Sequence, residues 1–261
     1  MNETEVVLVE RDGGIATVIL NRPEKRNAFN AAMSRRLKTV FDELSADEAV
    51  RCVVLRGAGD KAFTAGADIN EFAKVRTDRA SSRDYNETSK AAQIAVRDCR
   101  HPVIAMIRGY CLGGGAGFAL MCDMRIATRS SQFGITAKKL ANYYSTHAME
   151  ALLAAVGRPK ALEILLEGEV FGAEEALRIG MVNRLVDDDA LESEVMATAQ
   201  RIADGAPLAA RYHKKFLYRL GERDPLTPEE LEEVHTAADT ADYEIGYRAF
   251  QNKEKPRFVG R

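Results

Sequence analysis

The chain is predicted to be an α/β protein, with a core over residues 1–200 and a helical region over 201–261. Three observations predict this. Short apolar strands alternate with helical stretches through the first half, the arrangement of parallel strands joined by right-handed crossovers. The strand signal fades after about residue 150. The remaining residues read in helical periodicity, broken by glycines and prolines.

The elements run in order from the N-terminus. "VVLVE" (6–10) and "IATVILN" (15–21) are strands joined by a turn at Asp12-Gly13-Gly14. "RPEKRNAF" (22–29) is a loop that enters a helix over 31–44. "RCVVLRG" (51–57), "VIAMIRG" (103–109) and "MRIAT" (124–128) are apolar, β-branched strands separated by helical stretches. Farther on, "RPKALEILLEG" and "AEEALRIGMVN" read as helices closed by Gly168 and Gly180. "ALESEVMATAQRIADGAPLAARYHKKFLYRL" keeps the helical period, and "TPEELEEVHTAADTADYEIGYRAFQNKEKP" forms a last helical arm. No internal repeat interrupts the order.

Composition excludes several functions. With 261 residues, 46% of them hydrophobic and 29% charged, the chain suits one globular domain, or one domain with a small helical appendage. Lys plus Arg is 37 and Asp plus Glu 39, a net charge of −2, so neither nucleic acid nor a membrane surface is an expected partner. No apolar run approaches the ~20 residues that span a bilayer, and "MNETEVVLVE" lacks a signal peptide's basic start, so a cytoplasmic location is expected. Cys52, Cys99, Cys111 and Cys122 lie in or beside apolar segments and read as buried free thiols. The four histidines form no HExxH arrangement, and no metal is expected.

"GYCLGGGAGFALMCD" (109–123) strips side chains from a strand-to-helix junction. Its spacing is not G-x-G-x-x-G, no Gly-Lys-Ser/Thr follows, and G-x-S-x-G occurs nowhere. On this segment alone, a tight turn with close helix–strand packing accounts for the glycines equally well. A second segment, "GDKAFTAGADINEF" (59–72), repeats the device with Ala65, Gly66 and Ala67, and Asp68 with Glu71 forms a capping-box pattern. Two such loops can turn two backbone N–H groups toward one substrate atom, as an oxyanion hole requires.

"KAFTAGADINEF" and "GYCLGGGAGFALMCDMRIA", with "RPEKRNAF", "AEEALRIGMVNRLV" and "DYEIGYRAFQNKEKPRFVG", resemble the crotonase (enoyl-CoA hydratase/isomerase) superfamily over nearly the whole chain. The resemblance implies a crotonase-like ββα spiral with two sheets and a helical C-terminal trimerisation region, assembled as a homotrimer or a homohexamer of paired trimers. It implies that the Ala67 and Gly114 N–H groups bind the oxygen of an acyl-CoA thioester. It places Lys25, Arg26, Ala28, Ala65, Ala67, Asp68, Ile69, Gly114, Phe250 and Lys253 along the coenzyme A, the last two from a segment that closes over it, sometimes from a neighbouring subunit. Coenzyme A enters with the substrate, so no separate cofactor is implied.

The chain departs from the family's hydratases. They use two glutamates, at positions that here are Gly117 and Ala137, and neither residue can move a proton. The nearest pattern is that of the methylmalonyl-CoA decarboxylase type, with threonine at the position of Thr136 and tyrosine at that of Tyr144. That type carries histidine where this chain has Ala67 and an acid where it has Gly117. Tyr143 and Tyr144 also fit as packing residues before a helix capped by Ser145, and His147 as a structural histidine. The expected function is a lyase step on an acyl-CoA, with catalytic positions at Ala67, Gly114, Tyr144 and Thr136. The alternatives are a hydratase or isomerase with a non-standard acid/base, and a protein that binds CoA thioesters without turnover.

Overall fold

The computed structural model describes residues 5–222 and 224–261. The chain opens with an antiparallel hairpin of β1 (Val7–Asp12) and β2 (Ile15–Leu20), turned at Gly13 with φ +52°. Three turns of a spiral come next, each contributing two strands: β3 (Cys52–Gly57) with β4 (Ala62–Thr64), β5 (Val103–Ile107) with β6 (Tyr110–Leu112), and β7 (Met124–Thr128) with β8 (Gln132–Gly134). Two further strands are β9 (Val170–Gly172) and β10 (Arg184–Val186). The first strand of each spiral turn joins a six-stranded sheet, ordered β1-β2-β3-β5-β7-β10, and the second joins a four-stranded sheet, β4-β6-β8-β9. Among the strand pairs of the described residues, only β1–β2 and β8–β9 are antiparallel.

The helices in order are α1 (Ala31–Ala46), α2 (Ile69–Val75), α3 (Arg79–Asp98), α4 (Gly114–Met121), α5 (Thr146–Glu167), α6 (Ala173–Arg178), α7 (Leu191–Ala203), α8 (Pro207–Arg219), α9 (Pro228–Glu232) and α10 (Ala241–Asn252). Both faces of the large sheet are covered, which is why its strands read as continuous apolar runs. Val53, Leu55, Val103, Ala105 and Ile107 join the main core, which includes residues of α1, α4 and α5. Their alternates Cys52, Val54, Ile104 and Met106 pack on the opposite face with Leu191, Val195 and Ala199 of α7. Alternation along each strand divides the two cores.

Three expectations need correction. The region after residue 150 is not free of strands: β9 and β10 lie in it, each three residues long and too short to show a period. The other small-sheet strands, "AFT", "YCL" and "QFG", escape the sequence for the same reason. The last arm is not one helix, because a 3-10 stretch at Glu233–Asp239 separates α9 from α10. Within α5, Gly157 (φ 72°, ψ 163°) breaks the helix just before Arg158-Pro159, where the sequence reading starts its next helix.

The helical period also breaks at 204–206, between α7 and α8. There α8 is tied to the core by Lys214, whose Nζ donates to Asp123 at 2.8 Å and to the His101 carbonyl at 3.1 Å. Asp123 also accepts the Val103 N–H at 2.7 Å and the Tyr218 hydroxyl at 3.2 Å. No helix among the described residues is long and apolar enough to cross a membrane.

Candidate active site

Strands β4 and β6 are parallel neighbours, so their C-terminal ends face the same way and the two glycine loops leave side by side. Gly66 has φ +96°, and a Cβ on it would stand 2.8 Å from the Leu112 carbonyl oxygen. Gly113 has φ 52° and ψ −122°, a conformation suited to glycine, and its N–H donates to the Gly134 carbonyl at 2.8 Å. Residue types without side chains are therefore required here by the backbone itself.

Two N–H groups are left over. Phe29 donates to the Gly66 carbonyl (2.7 Å) and Asp68 donates to the Phe29 carbonyl (2.8 Å). This parallel bridge uses the peptide groups flanking Ala67 and turns the N–H of Ala67 the other way, with no acceptor among the described residues. Gly114 is the first residue of α4, where an N–H has no intrahelical acceptor. The one heavy atom that a Cβ on Gly114 would meet within 4 Å is the Ala67 nitrogen, at 3.9 Å. Both residues are partly exposed. Two fixed donors at a helix N-terminus thus border one open space, an arrangement that can hold an oxygen acquiring negative charge.

The loop at 22–29 is laced to the first of these loops. Asn27 is fully buried with φ 55°, and its Nδ2 donates to the carbonyls of Ala58 (2.9 Å) and Ala62 (2.8 Å) while its Oδ1 accepts from the Arg22 N–H. Ala65 donates to the Arg26 carbonyl at 2.9 Å. The Arg22 guanidinium donates to Asp68 (2.9 Å) and to the Ala28 carbonyl (2.6 Å). Asp68 therefore holds the loop, and it caps α2 by accepting from the Asn70 N–H at 3.2 Å. The expected capping box does not form, because Glu71 turns to the Ala31 N–H at the start of α1. Lys25 is exposed, Arg26 lies over the Tyr110 ring at 5.4 Å, and Ile69 is about half exposed.

Polar groups gather where a side chain on Gly117 would lie. A Cβ there would stand 3.0 Å from the Tyr144 Oη, 3.1 Å from the Gln93 Nε2 and 3.4 Å from the Ala148 Cβ. The Tyr144 hydroxyl donates to the Gly113 carbonyl at 3.3 Å. Burial pushes its phenol well above the ordinary range, so it stays protonated and acts as a donor. The His147 Nε2 lies 2.5 Å from the Gln93 Oε1, and desolvation, followed by the nearby Lys90 charge, holds the imidazole below its usual pKa. Tyr143 is 93% exposed and packs nothing at the start of α5, against the expectation, and Ser145 makes no capping bond with its side chain.

Thr136 lies two residues beyond Gly134, at the start of a 3-10 turn (Ala137–Leu140), with a hydroxyl that caps nothing. Phe250, 85% exposed on α10, and Lys253, which ends that helix at φ 57°, make no bond or ring contact with the glycine loops among the described residues. A cleft of about 850 Å³ lies elsewhere, between α8 and residues 233–243, lined by Tyr212, Tyr218, Val234 and Tyr243. The four cysteines are buried and free, and no cluster of three or more potential metal ligands occurs among the described residues.

Sequence reasoning missed Gln93, Arg22 and Asn27. For Gln93 the signal was an amide inside the buried stripe of α3, beside Ala92 and Val96. For Arg22 and Asn27 there was none, since their partners lie 46 and 35 residues away.

Known proteins resemble this chain in sequence and fold. The family described as enoyl-CoA hydratase/isomerase matches residues 10–261. A Mycobacterium bovis protein named "Probable enoyl-CoA hydratase echA8" is 36% identical over 261 residues, covering 98% of this chain and 99% of its own. The (E)-benzylidenesuccinyl-CoA hydratase of Thauera aromatica is 33% identical, covering 97% of this chain and 99% of its own. Among solved structures, an enoyl-CoA hydratase/carnithine racemase from Magnetospirillum magneticum superposes with a TM-score of 0.97 at 44% identity, covering 99% of this chain and 97% of that one.

Proposed function

The chain belongs to the enoyl-CoA hydratase/isomerase family, the crotonase superfamily of acyl-CoA-processing enzymes, and on that premise we propose that it is a lyase acting on a carboxylated acyl-CoA. The observation that carries this reading is the pairing of two N–H donors, at Ala67 and Gly114, that have no acceptor among the described residues with the lack of a carboxylate at Gly117 and Ala137. Decarboxylation needs the first and not the second. As the C–C bond to the carboxylate breaks, its electron pair passes into the thioester, the oxygen becomes an enolate oxyanion, and CO₂ departs. The two N–H groups stabilise that oxyanion. The α-carbon then takes one proton from water, and the thioester is released with hydrogen in place of the carboxylate.

Tyr144 serves this step as a donor rather than as an acid. Its hydroxyl holds the carbonyl of Gly113, the other end of the peptide group that presents the Gly114 N–H. Thr136 is the polar neighbour on the side of β8. Lys25 and Arg26 meet the phosphates of coenzyme A, Ala28, Ala65, Asp68 and Ile69 line its path, and Phe250 and Lys253 close over it from a neighbouring subunit. The enzyme acts in the cytoplasm as a trimer or a pair of trimers. Apolar surface on the C-terminal helices supports such self-association: Leu217 is 75% exposed, and Leu220, Leu231 and Phe250 are exposed with it.

The test is incubation with methylmalonyl-CoA and crotonyl-CoA, followed by mass analysis of the thioesters. Loss of CO₂ from the first supports the lyase. Addition of water to the second, with the first untouched, replaces the lyase by hydration, the reaction in its relatives' names.

A further inference from the structure

Gln93 is 3% exposed, yet its side chain is only half satisfied. Its Oε1 is taken by the His147 Nε2 at 2.5 Å. A carbonyl oxygen only accepts, so His147 presents Nε2–H in this contact, and its depressed pKa agrees with a neutral ring. The Gln93 Nε2 makes no hydrogen bond among the described residues. The Nε2 atom is not sealed off in the way that the unpartnered Arg36 Nε and Arg211 Nε are, so it is open to solvent and an acceptor arriving from outside can reach it.

The amide is aimed at the substrate groove. Gly117 lies three residues after Gly114 on α4, so the two share one helix face. The Gln93 Nε2 would stand 3.1 Å from a Cβ on Gly117, beside the Tyr144 Oη at 3.0 Å. Three residues of helix advance about 4.5 Å. In a thioester with a carboxylate on its α-carbon, the thioester oxygen and the carboxylate carbon are three bonds apart, about 4 Å when extended. The two spacings are of the same order.

We propose that Gln93, anchored by His147, recognises a carboxylate on the acyl α-carbon while the thioester oxygen sits between Ala67 and Gly114. The amide N–H₂ faces the carboxylate where a hydratase has an acid of its own. That replacement favours an anionic acyl group, since a glutamate there would repel it. Gln93 is thus the specificity determinant of the site, and His147 its positioning residue. This proposal rests on the acyl-CoA reading above.

The test is displacement of fluorescent etheno-CoA by methylmalonyl-CoA and by propionyl-CoA, read in the first seconds before turnover. The readout is the ratio of the two affinities within one protein, which cancels a general loss from misfolding. In the wild type the carboxylated thioester binds about 10- to 100-fold tighter, the range of one hydrogen bond to a charged group. In Gln93→Leu the ratio falls toward one, and in Gln93→Glu it inverts. His147→Phe lowers it, and His147→Gln, which keeps a donor, restores part of it. A wild-type ratio near one, or a ratio unchanged in both Gln93 variants, overturns the proposal and leaves the acyl-CoA reading standing. Failure of both thioesters to displace the probe from the wild type brings down both the proposal and the acyl-CoA reading.

Discussion

Replacing Gly114 by alanine separates function from folding. Gly114 is helical and does not have positive φ, and a Cβ built on it meets nothing closer than the Ala67 nitrogen at 3.9 Å. The substitution therefore strains no backbone, and it replaces glycine at the start of α4 by the best helix former, a change worth between zero and about 1 kcal/mol in favour of the fold. The same methyl group stands in the space that a thioester oxygen must enter to approach both donors at about 2.7–3.1 Å. Losing one such donor costs about 10²- to 10³-fold in kcat. The expected result for Gly114→Ala is a turnover number lower by that factor, with Tm unchanged or higher by up to about 4 °C. The assay is turnover of whichever thioester the wild type converts, alongside thermal unfolding on the same preparation. Activity within threefold of wild type would refute the oxyanion-hole reading. A Tm lower by 10 °C would refute the claim that the site tolerates a methyl group.

Tyr144→Phe removes the hydroxyl from the Gly113 carbonyl, and we expect kcat to fall about 10-fold with a stability loss near 1 kcal/mol, read by kinetics and urea unfolding. Asp68→Ala leaves the Arg22 guanidinium without its partner in a pair whose side chains are only 12% and 11% exposed. We expect about 3 kcal/mol of destabilisation, a Tm lower by about 6–12 °C, and a raised KM for CoA thioesters as the 22–29 loop loosens. His101 is buried and its pKa is held down to about 4 from 6.5, first by desolvation and then by Arg211 and Arg100. Between those two values the unfolded chain binds the proton and the folded chain does not, so stability falls as pH drops from 6.5 to 4, by up to about 3 kcal/mol. Urea unfolding at pH 7 and pH 4.5 checks this, and His101→Gln should flatten the difference.

The amino-acid sequence alone determined five of the six strands of the large sheet, all but β10, since strands buried on both faces leave continuous apolar runs such as "RCVVLRG" and "VIAMIRG". It also marked both glycine loops and the loss of carboxylates at Gly117 and Ala137, because those are statements about residue type. The second sheet stayed hidden, its strands being three residues each, too short for any period. Only the tertiary structure decided which donors are free. The Ala67 N–H has no acceptor among the described residues because Phe29, 38 residues earlier, bonds the peptide groups on either side of it. Only the tertiary structure brought Gln93 and Tyr144 to Gly117, with His147 on Gln93, from three stretches (α3, α4 and the start of α5) that packing alone makes neighbours. Residue type is local and can be read along the chain; the partner of a hydrogen bond is a fact about space, and the chain must fold before it exists.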